Sequence, residues 1–99
     1  MATLGSPELG RIASAAATPL WDITVGERNT IVCTRDSGVD GMPYTVVVAR
    51  AGRGYRVSLY MPGDDISVEG EVIGEVAGNP RDTGRQLRSL LEDVDLSGN

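Results

Sequence analysis

The sequence contains no histidine, no lysine and no phenylalanine, and it has a single cysteine. Without histidine, its own residues cannot assemble a histidine-based metal site, a Ser-His-Asp triad or a Cys-His dyad. Without lysine, it cannot form a Schiff base or provide the lysine of a phosphate-binding P-loop. We therefore expect no catalytic residues, no metal site and no bound cofactor.

The single cysteine, Cys33, cannot form a disulfide within the chain. It lies in a strand-like run, TIVCTR, where a small buried apolar residue is its expected role. No run approaches the ~20 apolar residues that a membrane span requires. Glu8 and Arg11 interrupt the N-terminal segment, where a secretion signal would be continuously apolar. These features predict a cytoplasmic protein that does not bind membranes.

The length of 99 residues suits one domain over 1–99, in which we expect the ends, 1–5 and 96–99, to fray. Hydrophobic residues make up 40% of the chain and charged residues 23%, which is ordinary for a folded protein. All nine basic residues are arginines, and 14 acidic residues bring the net charge to −5. Such a chain lacks the broad basic face of a general phosphate-backbone binder.

Two segments carry helix signals. Ser6 and Pro7 resemble the N-cap and first residue of a helix that ends before Pro19. Asn79 and Pro80 begin a second, longer helix in the same way. The apolar spacing in this second helix predicts a buried face formed by Leu87, Leu90, Leu91 and Val94.

Between these helices, apolar residues recur with the period of a strand. WDITV and TIVCT predict a first hairpin, and YTVVVARA and YRVSLYM predict a second. A two-residue type II′ turn at Gly52 and Arg53 fixes the register of the second hairpin. A longer turn would place Arg50 opposite Arg56, which is an unfavourable like-charge pair. The expected pairs are Arg50 with Tyr55, Val48 with Val57, Val46 with Leu59, and Tyr44 with Met61.

The segment 66–78, ISVEGEVIGEVAG, is compatible with a helix or a strand. A helix would contain Gly70 and Gly74, each costing ~1 kcal/mol, so we favour a strand that bends or breaks at the glycines. Its faces would be Ile66, Val68, Val72 and Val76 on one side, and Glu69, Glu71 and Glu75 on the other. The chain is thus predicted to be an α+β protein. Its antiparallel sheet of four to five strands has two hairpins and this edge strand, with the N-terminal and amphipathic C-terminal helices on one face.

The hairpin tip RAGRGYR carries three candidate binding residues, Arg50, Arg53 and Arg56. The predicted register places Arg50 beside Tyr55, Arg53 at the turn and Arg56 on the opposite face of the hairpin. Because the three arginines would not form one cluster, we interpret this segment as a solvated tip. A specific contact with RNA or another anion is the alternative.

Three further candidates, Glu69, Glu71 and Glu75, belong to an acidic run without a basic residue. A charged strand resists edge pairing, and this is the first interpretation; the functional alternative is a negative face for a basic partner. Glu69 and Glu71 would lie ~7 Å apart on a strand, a spacing at which carboxylates can act as acid and base. Catalysis would also need a pocket that separates their pKa values.

The last helix has an unusual order of charges. Its start carries Arg81, Arg85 and Arg88, and its end carries Glu92, Asp93 and Asp95. Both groups oppose the helix macrodipole, and an i,i+4 pair between Arg88 and Glu92 compensates only in part. We expect the arginines to face either the acidic strand within the fold or an acidic surface of another protein.

The loop at 36–41, DSGVDG, resembles the start of an EF-hand calcium loop, with Asp36, Asp40 and Gly41 at positions one, five and six. Position twelve is Val47, so the bidentate carboxylate of that motif is missing. We interpret the segment as an Asx-type loop without a metal.

Together, these features predict a small non-enzymatic binding or regulatory protein whose partner is another protein. This profile is typical of accessory proteins of bacterial or phage origin. A nucleic-acid-associated module is the first alternative, if the fold joins the hairpin and helix arginines. A small carboxylate-dependent enzyme at Glu69 and Glu71 is the second. Self-association through the edge strand at 66–76 is compatible with the first prediction.

Overall fold

A computed structural model describes residues 7–26, 29–38, 41–66 and 68–97. Its elements are α1 (Pro7–Ala16), β1 (Asp22–Val25), β2 (Ile31–Arg35), β3 (Tyr44–Ala51), β4 (Gly54–Tyr60), β5 (Glu71–Val76) and α2 (Pro80–Ser97). The strands form an open, five-stranded antiparallel sheet in the order β1-β2-β3-β4-β5. The predicted α+β architecture is therefore confirmed.

Both helices cover the same face of the sheet and share one core with it. From α1, Leu9 and Ile12 are buried, and from α2, Leu87 and Leu91 are fully buried. These side chains join the inward-facing strand residues Ile31, Cys33, Val46, Val48 and Val57 in a single cluster. The opposite face of the sheet has no helix of the described residues on it, and we call it the open face.

The predicted helix boundaries agree with the structure. Pro7 begins α1, while its proposed cap, Ser6, lies outside the described residues. At the start of α2, the Asn79 side-chain oxygen accepts a hydrogen bond of 2.9 Å from the Asp82 backbone N–H, as an N-cap requires. Leu90 and Val94 complete the predicted stripe as partly buried residues. Of the ends expected to fray, residues 1–5 and 98–99 fall outside the description, whereas 96 and 97 belong to α2. Fraying of the ends stays a prediction.

Both predicted hairpins are confirmed. In the first, Ile23 pairs with Cys33, although residues 27 and 28 of its turn are not described. In the second, the predicted pairs of Arg50 with Tyr55, Val48 with Val57 and Val46 with Leu59 all form. The ladder ends at Thr45 and Tyr60, so the expected pair of Tyr44 with Met61 does not form.

The turn of the second hairpin gives a direct test of this register. Gly52 has φ of 60°, and no heavy atom of the described residues lies within 4 Å of the position that a Cβ would take. A β-branched residue resists positive φ, so Gly52→Val should lower the free energy of unfolding by well over ~1 kcal/mol. Urea unfolding measures this change. Arg53→Val, at the exposed second turn position, is the control and should change stability by less than ~0.5 kcal/mol. Equal stability of Gly52→Val and the parent protein would contradict the turn.

Cys33 is a core residue, as the sequence predicts. Its side chain is fully buried, and burial raises the pKa of its thiol to about 12. A thiol that stays protonated at neutral pH is a poor nucleophile and a poor metal ligand. The role of Cys33 is therefore packing.

The predicted strand at 66–78 is shorter than expected, because β5 starts only at Glu71. Before it, Val68 and Gly70 lie against Tyr60 on the open face, where the Tyr60 hydroxyl donates a hydrogen bond of 2.7 Å to the Val68 carbonyl. A Cβ at Gly70 would stand 2.7 Å from the Tyr60 ring, so only glycine permits this close approach. Ile66 and Val68 are consequently exposed and do not form an apolar face with β5.

The prediction for the two faces of this strand is also wrong. Ile73 is an additional residue in β5, because Val57 and Ser58 pair with Gly74 and Val72. Such a β-bulge shifts the alternation of side chains. As a result Val76 is buried on the helix side, whereas Val72 is 44% exposed on the open face. The same shift separates two glutamates: Glu71 lies on the helix side and Glu75 on the open face.

Neither helix in the described part of the chain is both long and apolar enough to cross a membrane.

Candidate functional site

Arg50 and Tyr55, beside the turn of the second hairpin, contact α1 through Glu8. The Arg50 guanidinium lies 5.4 Å from the centroid of the Tyr55 ring, donates a hydrogen bond of 3.3 Å to the Tyr55 hydroxyl and lies 3.5 Å from the Glu8 carboxylate. The Tyr55 hydroxyl in turn donates to Glu8. Burial, together with this hydrogen bond, raises the pKa of Tyr55 above its usual value. The predicted position of Arg50 beside Tyr55 is confirmed.

The other two hairpin arginines lie elsewhere. Arg56 is on the open face, 3.8 Å from the Glu75 carboxylate, and Arg53 is exposed at the turn. Arg50 and Arg56 therefore lie on opposite faces of the hairpin, as predicted. The structure does not gather the three side chains into one anion site.

The helix arginines do not meet the acidic strand. Arg88 pairs with Glu92 at 3.5 Å, which confirms the expected i,i+4 contact. Arg81 and Arg85 are exposed and form no ion pair with a carboxylate of the described residues. Because Glu75 lies on the open face and α2 covers the other face, the first alternative for these arginines, pairing with the acidic strand, is wrong.

The acidic end of α2 is instead held by residues far away in the sequence. The Asp95 carboxylate accepts a hydrogen bond of 3.0 Å from the Trp21 indole N–H and lies 2.6 Å from an Arg35 guanidinium nitrogen. The unfavourable negative charge of Asp95 at the C-terminal end of α2 is thus compensated by Arg35 and Trp21. No local sequence pattern could show this contact, because Asp95 is 60 residues from Arg35.

These contacts give α2 a diagonal path across the sheet. Leu90 packs beside Gly74 of β5, where a Cβ would stand 3.1 Å from a Leu90 methyl carbon. Further along the helix, Asp95 contacts residues at the β1–β2 side of the sheet. Between α2, the beginning of β5 and the end of β4, the structure has a cleft.

This cleft has a volume of about 320 Å³. We call it the acidic cleft. Its lining residues are Tyr44, Leu59, Met61, Glu71, Ile73, Leu90, Asp93 and Val94. Six of these residues are apolar or aromatic, two carry carboxylates, and none is basic. The cleft is thus an apolar space with negative charge from both β5 and α2.

A second depression adjoins the acidic cleft and shares Leu59, Met61 and Glu71 with it. Its further lining includes the carboxylates of Asp64, Asp65 and Glu69 and, again, no basic residue. The candidates Glu69 and Glu71 therefore lie along one continuous acidic surface, which Glu75 does not join. Sequence reasoning identified these two glutamates but missed the apolar lining and Asp93, which depend on the bulge at Ile73 and on the path of α2.

The loop resembling a calcium site has an ordinary turn structure where it is described. The Asp36 carboxylate accepts a hydrogen bond of 2.9 Å from the Gly38 N–H, so the predicted Asx turn is confirmed. Asp40 lies outside the described residues. In the part of the chain that the structure covers, no three or more acidic or thiol side chains are grouped so that they could hold a metal ion.

Comparisons with protein families, with curated proteins and with solved structures find no match to this chain.

Proposed function

We propose that this chain is a small non-enzymatic binding protein that acts by holding another protein at the acidic cleft. The observation that supports the proposal most is the combination of a 320 Å³ apolar cleft with carboxylates from two elements and no basic lining residue. Ligand sites are concave and mostly apolar, and a few polar groups set their specificity. The volume is near the lower end for such sites, about 300 Å³, and suits one or two side chains of a partner.

Charge favours a protein over a nucleic acid as the partner. The acidic surface around Glu71 would repel a phosphate backbone. Of the candidate arginines, Arg50, Arg56 and Arg88 already have carboxylate partners. A nucleic-acid binder would need these cations on one face. The proposal keeps the expectation of a cytoplasmic protein, which rests on the lone cysteine of the sequence.

The proposal predicts that binding of the partner requires the cleft carboxylates, Glu71 and Asp93. The test variant Glu71→Gln with Asp93→Asn should capture at least about tenfold less of a specific partner from a lysate of the native host, since charge complementarity across such surfaces supports both rate and specificity. Quantitative mass spectrometry of the captured proteins measures this loss. The matched control is Glu75→Gln with Glu92→Gln, which removes the same charge from the same strand and helix but outside the cleft.

Both double variants should melt close to the parent protein, because their altered side chains are exposed. If the cleft variant captures the same proteins in the same amounts as the control, the acidic cleft is not the binding site. Mixed-sequence oligonucleotides provide a second arm. Binding that weakens steeply between 50 and 200 mM salt, as phosphate contacts require, would favour the nucleic-acid alternative.

A further inference from the structure

We infer that the acidic cleft takes a basic side chain, arginine or lysine, carried by an apolar segment of the partner protein. The inference rests on the proposed function and specifies the chemistry of the partner. The observation behind it is that apolar side chains and carboxylates line the same cleft.

The apolar lining fits the stem of a basic side chain. Leu59, Ile73, Leu90 and Val94 are partly buried residues that pack against the core and still line the cleft. Arginine and lysine place long aliphatic stems along apolar surface while their charged ends remain near polar groups. An acidic side chain has a shorter aliphatic stem, and its negative charge would be repelled by the carboxylates of Glu71 and Asp93.

The charged end of the occupant would meet Glu71 from β5 and Asp93 from α2. Because no basic residue lines the cleft or the adjoining depression, these carboxylates are not neutralised within either cavity. Hydrogen bonds between a guanidinium or ammonium group and a carboxylate are stronger than neutral ones. Tyr44 lines the same cleft, and an aromatic face attracts a cation as well.

The exposed carboxylates of Glu69 and of Asp64, which accepts a hydrogen bond of 2.9 Å from the Met61 N–H, extend this preference beyond the cleft. A partner segment that continues over the depression would gain from further basic residues there. Met61, which lines both the cleft and the depression, and Val68, which lines the depression, add exposed apolar side chains beside these acidic groups. They favour a segment in which apolar and basic residues are neighbours over a purely polar basic tail.

A second copy of this chain is the main competing occupant, because Arg81 and Arg85 of α2 are exposed and have no described carboxylate partner. The net charge of −5 opposes it, since two copies would repel each other. The bulge at Ile73 also interrupts β5, the edge strand next to the cleft, and bulges hinder edge-to-edge pairing. We therefore assign the cleft to a different protein.

Selection from a library of random twelve-residue peptides displayed on phage tests the inference. The full-length protein is the target, and Glu71→Gln with Asp93→Asn removes peptides that bind elsewhere. We expect selected peptides to contain arginine or lysine next to leucine, isoleucine, valine or an aromatic residue. In the best peptide, citrulline for arginine or norleucine for lysine should weaken binding at least about tenfold, which corresponds to about 1.4 kcal/mol. Binding to Glu75→Gln with Glu92→Gln should be unchanged.

Three outcomes would overturn the inference. Peptides that need the cleft but contain no basic residue would leave the proposed function intact and reject the basic occupant. The absence of any peptide that depends on the cleft also rejects it, and the lysate capture then decides the proposed function separately. A dimer in sedimentation equilibrium that Glu71→Gln with Asp93→Asn dissociates would assign the cleft to a second copy.

Discussion

Replacing Gly84 with alanine should destabilise this protein, although alanine is the better helix former. Gly84 is buried in α2 where that helix crosses α1. A Cβ there would contact the Ala15 Cβ and would stand 2.7 Å from the Ile12 carbonyl oxygen. Helix propensity alone would favour alanine by ~1 kcal/mol, but overpacking a close contact costs ~1–3 kcal/mol. We expect a net loss for Gly84→Ala and a loss of ~3 kcal/mol for Gly84→Leu, measured by urea unfolding.

Gly10 provides the control within the same pair of helices. It is an exposed glycine of α1, and no heavy atom of the described residues lies within 4 Å of its Cβ position. Gly10→Ala should therefore raise the free energy of unfolding by up to ~1 kcal/mol. The same substitution thus has opposite signs at the two positions. If Gly84→Ala also stabilises the protein, the two helices do not approach as closely as the structure places them.

The parts of the fold that follow local rules were predictable from sequence. Asn79 and Pro80 determine the start of α2, because a capping side chain and a residue without an N–H favour that position. Gly52 permits the two-residue turn, which then determines each pair along β3 and β4. In both cases the decisive residues lie within a few positions of the feature that they specify.

The face of β5 was not predictable in this way. Strict alternation would have placed Glu71 and Glu75 together, and one additional residue, Ile73, separates them. The bulge depends on how β5 fits both the end of β4 and the helix above it, so it is a tertiary property. Because of the bulge, Glu71 lines the acidic cleft, whereas Glu75 lies on the open face outside it.

The acidic cleft depends on still more distant contacts. Its shape follows from the path of α2, which Leu90 fixes at β5 and Asp95 fixes at the other side of the sheet. The sequence shows an acidic helix end, and this is unfavourable by itself. Only the structure shows that Asp95 binds Trp21 and Arg35, whereas Asp93, two positions earlier, lines the cleft.

Removing the Asp95 carboxylate should be costly, because this group of α2 binds side chains from β2 and from the residue before β1. The Trp21 indole is 4% exposed, and Asp95→Ala would leave its N–H without the acceptor seen in the structure. The Arg35 guanidinium would lose its carboxylate partner as well. A hydrogen bond to a charged group contributes ~1.5–3 kcal/mol. Because the Arg35 side chain is 24% exposed and can partly return to water, we expect a total loss of ~2 kcal/mol.

The control for this prediction is Asp93→Ala, on the same turn of α2. It removes the same unfavourable charge from the helix C-terminus, but Asp93 is exposed and has no such partners in the described residues. It should leave stability unchanged or raise it by ~0.5 kcal/mol, since both the macrodipole and helix propensity favour the change. Asp95→Asn should lie between the two alanine variants, because an amide oxygen can still accept from Trp21.

The fluorescence of Trp21, the only tryptophan, follows urea unfolding of all three variants. The difference between Asp95→Ala and Asp93→Ala removes the contribution of the helix dipole and isolates the contacts with Trp21 and Arg35. A difference of about 2 kcal/mol would show that the reversed charge order of α2 is compensated at Asp95. If the two alanine variants unfold alike, Asp95 does not hold α2 on its diagonal path. The position of the helix at the cleft would then have to come from its apolar packing against the sheet and α1.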